Sequence, residues 1–305
     1  MKIGVQSGYA YSDADYESGL LMLKEAGFDA VDFNIDNKIS VRMLREEGKN
    51  EFFSKSTEEI LEFYRPQKEA ADKAGIEYCQ MHAPFPVYLD GCDDANKALT
   101  DSVIKSMAVC ELFECPYLIV HPIARPEWTT EEQRKLNIDY YTTLIPYAKK
   151  YGVGICLENM FYGSGGAVKE AVCSDPHETV DYIDTLNAIA GEEIFSFCFD
   201  VGHATLLGKN MRQVINTLGN RIKTLHIHDN DGRSDLHMQP FAYTRGNGFV
   251  TEWQGLIDGL RDIGYKGVLS FETFTSIRFL PEVLKPAMLR FIASVGKYMS
   301  DEIEK

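Results

Sequence analysis

Short apolar runs in this 305-residue chain end, one after another, in histidine or carboxylate. The segment QMHAPF carries His82, IVHPI carries His121 and CLENM carries Glu158. CFDVGH supplies Asp200 and His203, LHIHDND supplies His226 and His228, and SFET supplies Glu272. Further on, DGRSDLHMQPFAYTRGNG adds an Asp-x-His pair, Asp235 and His237, then Arg245 and two glycines. Imidazole and carboxylate are the ligands of zinc, manganese and related divalent ions, and none of these positions is lysine or arginine. Carboxylates that converge without a cation repel and are poorly solvated, a cost that a bound divalent ion resolves. Taken one at a time, each residue has a plainer reading. A lone His82 or His121 in an apolar strand is more often a hydrogen-bonded core histidine, and a lone Asp200 or Glu272 can cap a helix or pair with arginine. Such residues at six successive strand ends favour a shared site. Of the pair His226 and His228, one can stand behind the ligands and support them.

The elements that position these residues follow from periodicity. Strand-like runs rich in β-branched and aromatic residues lie at Lys2–Ser7, Ala30–Ile35, Glu77–Ala83, Tyr117–Pro122, Gly154–Met160, Phe195–Val201, Ile222–Asp229 and Gly267–Thr273. Amphipathic helical stretches fill 14–26, 57–74, 94–114, 130–151, 175–190, 209–219, 251–263 and 281–298. Strand then helix, eight times, predicts an α/β fold: one (β/α)8 TIM barrel, residues 1–305, as a single domain. Gly27, Gly75 and Gly264 stand where a helix should stop before a strand. Asp175-Pro176-His177-Glu178 reads as a helix start, which gives His177 a structural or solvent role. In such barrels the reacting groups sit at the C-terminal ends of the strands, where the ligand-type residues fall here. The glycine-rich YGSGG at Tyr162–Gly166 has the composition of a phosphate-contacting loop, although no helix start clearly follows it.

Bulk properties narrow the partners. The formal net charge is −15, and 45% of residues are hydrophobic, ample for a large core. A field of that sign repels nucleic acid and anionic membrane surfaces, although a metal site can reverse it locally for a small phosphorylated substrate. No uninterrupted apolar run approaches about 18 residues, so no membrane span is expected. The N-terminus MKIGVQSGYA reads as a strand rather than a signal segment. Seven cysteines, an odd number without a CxxC pair, fit a reducing, cytoplasmic setting.

Together these residues resemble the xylose isomerase-like barrel superfamily, which contains sugar phosphate isomerases and epimerases, ketose 3-epimerases and endonuclease IV. The resemblance runs from the first strand to the last helix. The epimerase-like members imply one metal held by Glu158, Asp200, His226 and Glu272, with His203 on the substrate. The endonuclease IV-like members imply three zinc ions, with His82, His121, His203, Asp235 and His237 as additional ligands, and all five are present. Against a DNA role stand the net charge and rim loops without a basic cluster. The leading expectation is therefore isomerisation or epimerisation of a sugar or sugar phosphate through an enediolate. A divalent ion (manganese, zinc, cobalt or magnesium) would serve it, with Glu158 and Glu272 as the acid/base pair. His203, His228 and Arg245 would hold substrate oxygens, and Phe85, Trp128 and Phe161 would cover the sugar's apolar face. An endonuclease IV-like zinc phosphodiesterase, or a keto-sugar or inositol dehydratase, is the alternative. The resemblance also implies a homo-oligomer.

Overall fold

A computed structural model describes residues 1–164 and 167–305. Eight parallel strands alternate with eight long helices. The strands are β1 (Ile3–Gln6), β2 (Ala30–Asn34), β3 (Glu77–His82), β4 (Tyr117–Ile119), β5 (Gly154–Glu158), β6 (Phe195–Asp200), β7 (Ile222–His226) and β8 (Leu269–Phe271). The helices are α1 (Tyr16–Ala26), α2 (Thr57–Ala74), α3 (Asp93–Phe113), α4 (Thr130–Tyr151), α5 (Pro176–Ala190), α6 (Met211–Leu218), α7 (Trp253–Asp262) and α8 (Lys285–Ile303). The hydrogen-bonded order runs β8-β1-β2-β3-β4-β5-β6-β7. Just past the ends of β7 and β8, Ile227 N donates to Ser270 O at 2.9 Å and Glu272 N donates to Ile227 O at 3.1 Å. These two bonds complete the ring, and the expected (β/α)8 barrel is what forms.

Alternation along the strands decides what faces where. Val5, Val31, Phe33, Met81, Leu118, Ile155, Leu157, Phe197, Phe199, Leu225 and Phe271 join one buried cluster with the apolar faces of the helices. Tyr78 stacks on Phe113 of α3 with ring centroids 4.1 Å apart, and Phe33 meets both rings edge-on. Burial of such a side chain is worth about 1.5–3 kcal/mol. The intervening residues point into the barrel, and there the chain departs from the usual branched aliphatic filling. Gln6, Asp32, Gln80, Cys156, Ser196, Cys198, Thr224 and Ser270 are buried. Several bond across the interior, as when Gln80 Nε2 donates to the carbonyl of Leu225 at 3.1 Å. Outer alternates hold helices to sheet; inner alternates build a polar lumen below the strand ends.

Local signals work largely as read. Gly27 and Gly75 end α1 and α2 in the left-handed conformation. Asp175 accepts hydrogen bonds from His177 N and Glu178 N to start α5, which leaves His177 exposed. All eight strands are shorter than expected, and β4, β7 and β8 by three residues or more. Regular pairing of β4 gives out after Val120 N donates to Cys156 O, and Pro122 has no N–H to continue it. The assigned parts of β7 and β8 stop short of Asp229 and Thr273, which belong to the loops. Two hairpins were not foreseen: Phe161–Ser164 with Ala167–Glu170, and Thr244–Arg245 with Gly248–Phe249. The first takes in Tyr162–Ser164 of the glycine-rich stretch, whose Gly165 and Gly166 lie outside the described residues. All seven cysteines are unpaired, and among the described residues no helix is long and apolar enough to cross a membrane.

Candidate metal centre

At the C-terminal rim the strand-end residues converge. His226, fully buried at the end of β7, turns Nδ1 toward one oxygen each of Glu158 (3.3 Å), Glu272 (3.4 Å) and Asp200 (3.8 Å). These carboxylates arrive from β5, β6 and just past β8, so three separate strands surround one nitrogen. Nδ1 has no hydrogen-bond partner among the described residues. A buried, unpartnered nitrogen facing three carboxylate oxygens is the kind of donor set that could hold a divalent cation.

Two further groups adjoin this one. His121 Nε2 lies 3.1 Å from Glu158 Oε2, and His82 completes a cluster with them. On the other side, Asp235 lies 3.4 Å from His203 Nε2 and 3.0 Å from His237 Nε2. His237 in turn reaches Glu272 Oε2 at 3.5 Å through Nδ1. His228 joins the same corner, with Nε2 3.1 Å from Asp200 Oδ2 and its ring stacked on His237 at 4.1 Å. The nine residues of the two implied ligand sets thus meet at one rim, and His228 joins them as a tenth.

The backbone fixes which histidine nitrogens face the cluster. His82 Nδ1 is held by the carbonyl of Ala83 at 3.0 Å and His203 Nδ1 by that of Asn159 at 2.8 Å, so Nε2 is the atom of each that the backbone leaves to side-chain partners. Asn159 also donates to Asp200 O and accepts from Asp200 N, both at 2.8 Å, which clamps the end of β6 to that of β5. Asp200 does serve as a helix cap, its Oδ1 accepting from His203 N at 2.6 Å, while Oδ2 turns to the histidines. The capping role of Asp200 thus leaves its Oδ2 turned to the cluster. Immediately after it, Gly202 leaves room for His228: a Cβ there would stand 1.9 Å from His228 Cε1. Gly202→Ala is expected to cost about 3 kcal/mol and to push His228 out of the corner, read as a lower urea midpoint. An unchanged midpoint would contradict this packing.

Electrostatics bear out the need for positive charge. Burial opposes protonation of His203, but Asp200, Asp235 and Glu158 outweigh it and push the ring up to about 10. Burial likewise opposes charge on His237, yet Glu272 and Asp235 raise it to about 11. Glu158, despite burial, is held well below the usual carboxylate range by His226 and His121. Glu272 is held low by His226 and His237 in the same way. His82 differs: burial and the neighbouring His121 lower it. Buried carboxylates here draw protons onto the histidines, the role a metal cation would take over.

The remaining candidate positions divide. Phe85 lies edge-on to His121 with centroids 4.9 Å apart, and Phe161 does the same to His203 at 4.9 Å, so both rings wall the cluster. Trp128 is half-buried in the loop before α4, where its carbonyl accepts from Gln133 Nε2. Arg245 is exposed on its hairpin and donates to the carbonyl of Asp231 at 3.3 Å. Neither Trp128 nor Arg245 belongs to the wall that Phe85 and Phe161 form. Beside the ligands opens a cleft of about 630 Å³ that includes Gln6, Tyr9, Tyr11, Asn34, Phe274 and Lys285 in its lining. Phe274 stacks on His237 at 4.4 Å, which ties that cleft to the centre. Gln6, Asp32, Gln80 and Asn159 escaped the sequence reading. Only Gln80 carried a signal, as a polar residue two before His82 along an otherwise apolar strand.

The family model described as xylose isomerase-like TIM barrel matches residues 20–294. The chain belongs to that family. An uncharacterized protein of Methanocaldococcus jannaschii is 29% identical over 220 residues, 67% of this chain and 67% of its own length. Among solved structures, a D-tagatose 3-epimerase-like protein superposes with a TM-score of 0.69 at 21% identity, covering 100% of this chain and 97% of the other. The IOLI protein, solved with a zinc atom, superposes with a TM-score of 0.65 at 15% identity, covering 99% and 98%. At those identities the likeness speaks for the fold.

Proposed function

We propose that this chain is a divalent-metal-dependent isomerase or epimerase acting on a sugar or sugar phosphate beside its carbonyl. The observation that carries the reading is the convergence of Glu158, Asp200 and Glu272 on the unpartnered Nδ1 of His226. These four side chains would hold the ion, which would be manganese, zinc, cobalt or magnesium. When bound, it supplies Lewis-acid stabilisation for the negative charge that develops as a proton leaves carbon. Glu158 and Glu272 approach from β5 and β8 and serve as base and acid on the two faces of the sugar. Phe85 and Phe161 shield the site from water, and His203, His228, Arg245 and Trp128 complete the binding of a carbohydrate. The zinc atom in the IOLI protein and the name of the D-tagatose 3-epimerase-like protein lend this reading support.

The test is proton exchange. Metal-loaded protein incubated in D₂O with ketoses, aldoses and their phosphates is expected to place deuterium on the carbon next to the carbonyl of one of them, seen by NMR. A panel without exchange under every metal would count against the proposal. A second reading has its own observation: His203, Asp235 and His237 on one side, and His82 and His121 on the other, form two further clusters beside the first. Three zinc ions there would suit phosphodiester hydrolysis, though the net charge of −15 disfavours a polyanionic substrate.

A further inference from the structure

We infer that Asp32 is the positioning residue for His226, holding its Nε2–H across the barrel so that Nδ1 is left as the ligand nitrogen. The inference rests on the metal centre proposed above and concerns how that centre is built. Asp32 stands on β2 and His226 on β7, separated by 194 residues in sequence, and both are fully buried. Asp32 Oδ2 lies 3.1 Å from His226 Nε2. The same oxygen accepts from Gln80 Nε2 at 3.0 Å, and Gln80 is anchored in turn on the carbonyl of Leu225, the residue before His226.

The local backbone produces this contact. Between β2 and β3 the register shifts after Val31, so that Val31 faces Tyr78 but Asp32 faces Gln80, with Cys79 skipped. That irregularity sets the Gln80 amide beside Asp32 in the lumen. A carboxylate in such a place, with no lysine or arginine bonded to it among the described residues, needs a hydrogen-bond donor. The His226 ring meets that need only when its proton is on Nε2. A neutral imidazole then has its lone pair on Nδ1, the atom that faces Glu158, Asp200 and Glu272. Protein groups that take the far N–H of a ligating histidine fix its tautomer and orientation, and their loss commonly weakens metal binding by roughly 10- to 100-fold.

The experiment compares wild type, Asp32→Asn and Asp32→Ala in the metal-free and zinc-loaded states. Zinc affinity is read by competition with a chromophoric chelator, and the His226 Nε2–H by ¹H–¹⁵N NMR of histidine-labelled, zinc-loaded protein. Asp32→Ala is expected to weaken the tightest zinc by roughly 10- to 100-fold and to shift the His226 Nε2–H resonance upfield as its hydrogen bond to Asp32 is lost. Asp32→Asn, close in shape, keeps the fold if the alanine variant does not, and is expected to fall between the two. Folded variants with wild-type affinity and an unmoved His226 Nε2–H resonance would overturn the role of Asp32 while leaving the metal centre standing. Wild type that takes up no metal would overturn the centre and, with it, the ligand role of His226.

Discussion

Glu272→Gln is expected to slow exchange of the substrate carbon-bound proton by roughly 10²- to 10⁴-fold in a protein that remains folded. The carboxylate is buried, with Oε1 accepting from Gln6 Nε2 at 2.5 Å and Oε2 facing His226 and His237. A glutamine fills the same volume but cannot take up a proton. It does turn an N–H₂ toward one of these neighbours, and the structure already contains the remedy. Gln6 Oε1 has no partner among the described residues, so rotation of the Gln6 amide offers an acceptor where its nitrogen stood. Loss of rate without loss of fold is the expected pairing. Glu158→Gln should behave alike in rate, with a larger penalty in metal binding because Glu158 belongs to two candidate ligand groups, one with His82 and His121 and one with His226, and Glu272 to one. The readouts are deuterium incorporation by NMR and the thermal midpoint of the metal-free protein. Wild-type exchange in either variant would remove that residue from the acid/base pair.

The eightfold alternation was legible because each strand carries its outward apolar residues and each helix its own stripe. The strand-end ligands were legible because histidine and carboxylate are rare company for β-branched residues. What stayed hidden depends on distance across the barrel. Asp32 reads in sequence as one polar residue inside AVDFN, and nothing within β2 says that β7 lies opposite. The irregular register at Cys79 is also invisible, since it arises between strands. Gln6 and Asn159 read as ordinary polar residues until Glu272 and Asp200 are seen beside them. Loop residues were least legible. Phe85 and Phe161 reach the cluster because each immediately follows a ligand-bearing strand end, whereas Arg245 sits on a hairpin with no signature in its spacing.

Removing metal with a chelator is expected to abolish turnover and to lower the thermal midpoint by on the order of 5–10 °C. A ligand at a thousand times its dissociation constant stabilises the fold by about 4 kcal/mol, and a chain of this size converts that into several degrees. The pH dependence follows from the raised histidines. His203 and His237 carry protons up to about 10 and 11 in the metal-free protein, above the ordinary value near 6.5. Their contribution to metal-free stability is therefore complete below about 6.5 and is lost as pH rises through about 10 to 11. Metal must displace such protons to use these rings, so uptake at the corner they form should release protons at neutral pH and tighten as pH rises. Charge also orders the sites. Glu158, Asp200 and Glu272 around His226 leave a net −1 with a dication, whereas Asp235 among His203, His228 and His237 leaves +1. A dication in the interior needs that negative charge, so the His226 group fills first and the Asp235 corner only in excess metal. His82 and His121 come last, since Glu158, the carboxylate they share, is already committed. Mass spectrometric metal counts on wild type and Asp235→Asn check this order. One tightly held ion in both proteins supports the isomerase reading. Three zinc ions in wild type at stoichiometric metal, falling in Asp235→Asn, would make phosphodiester cleavage the activity to assay.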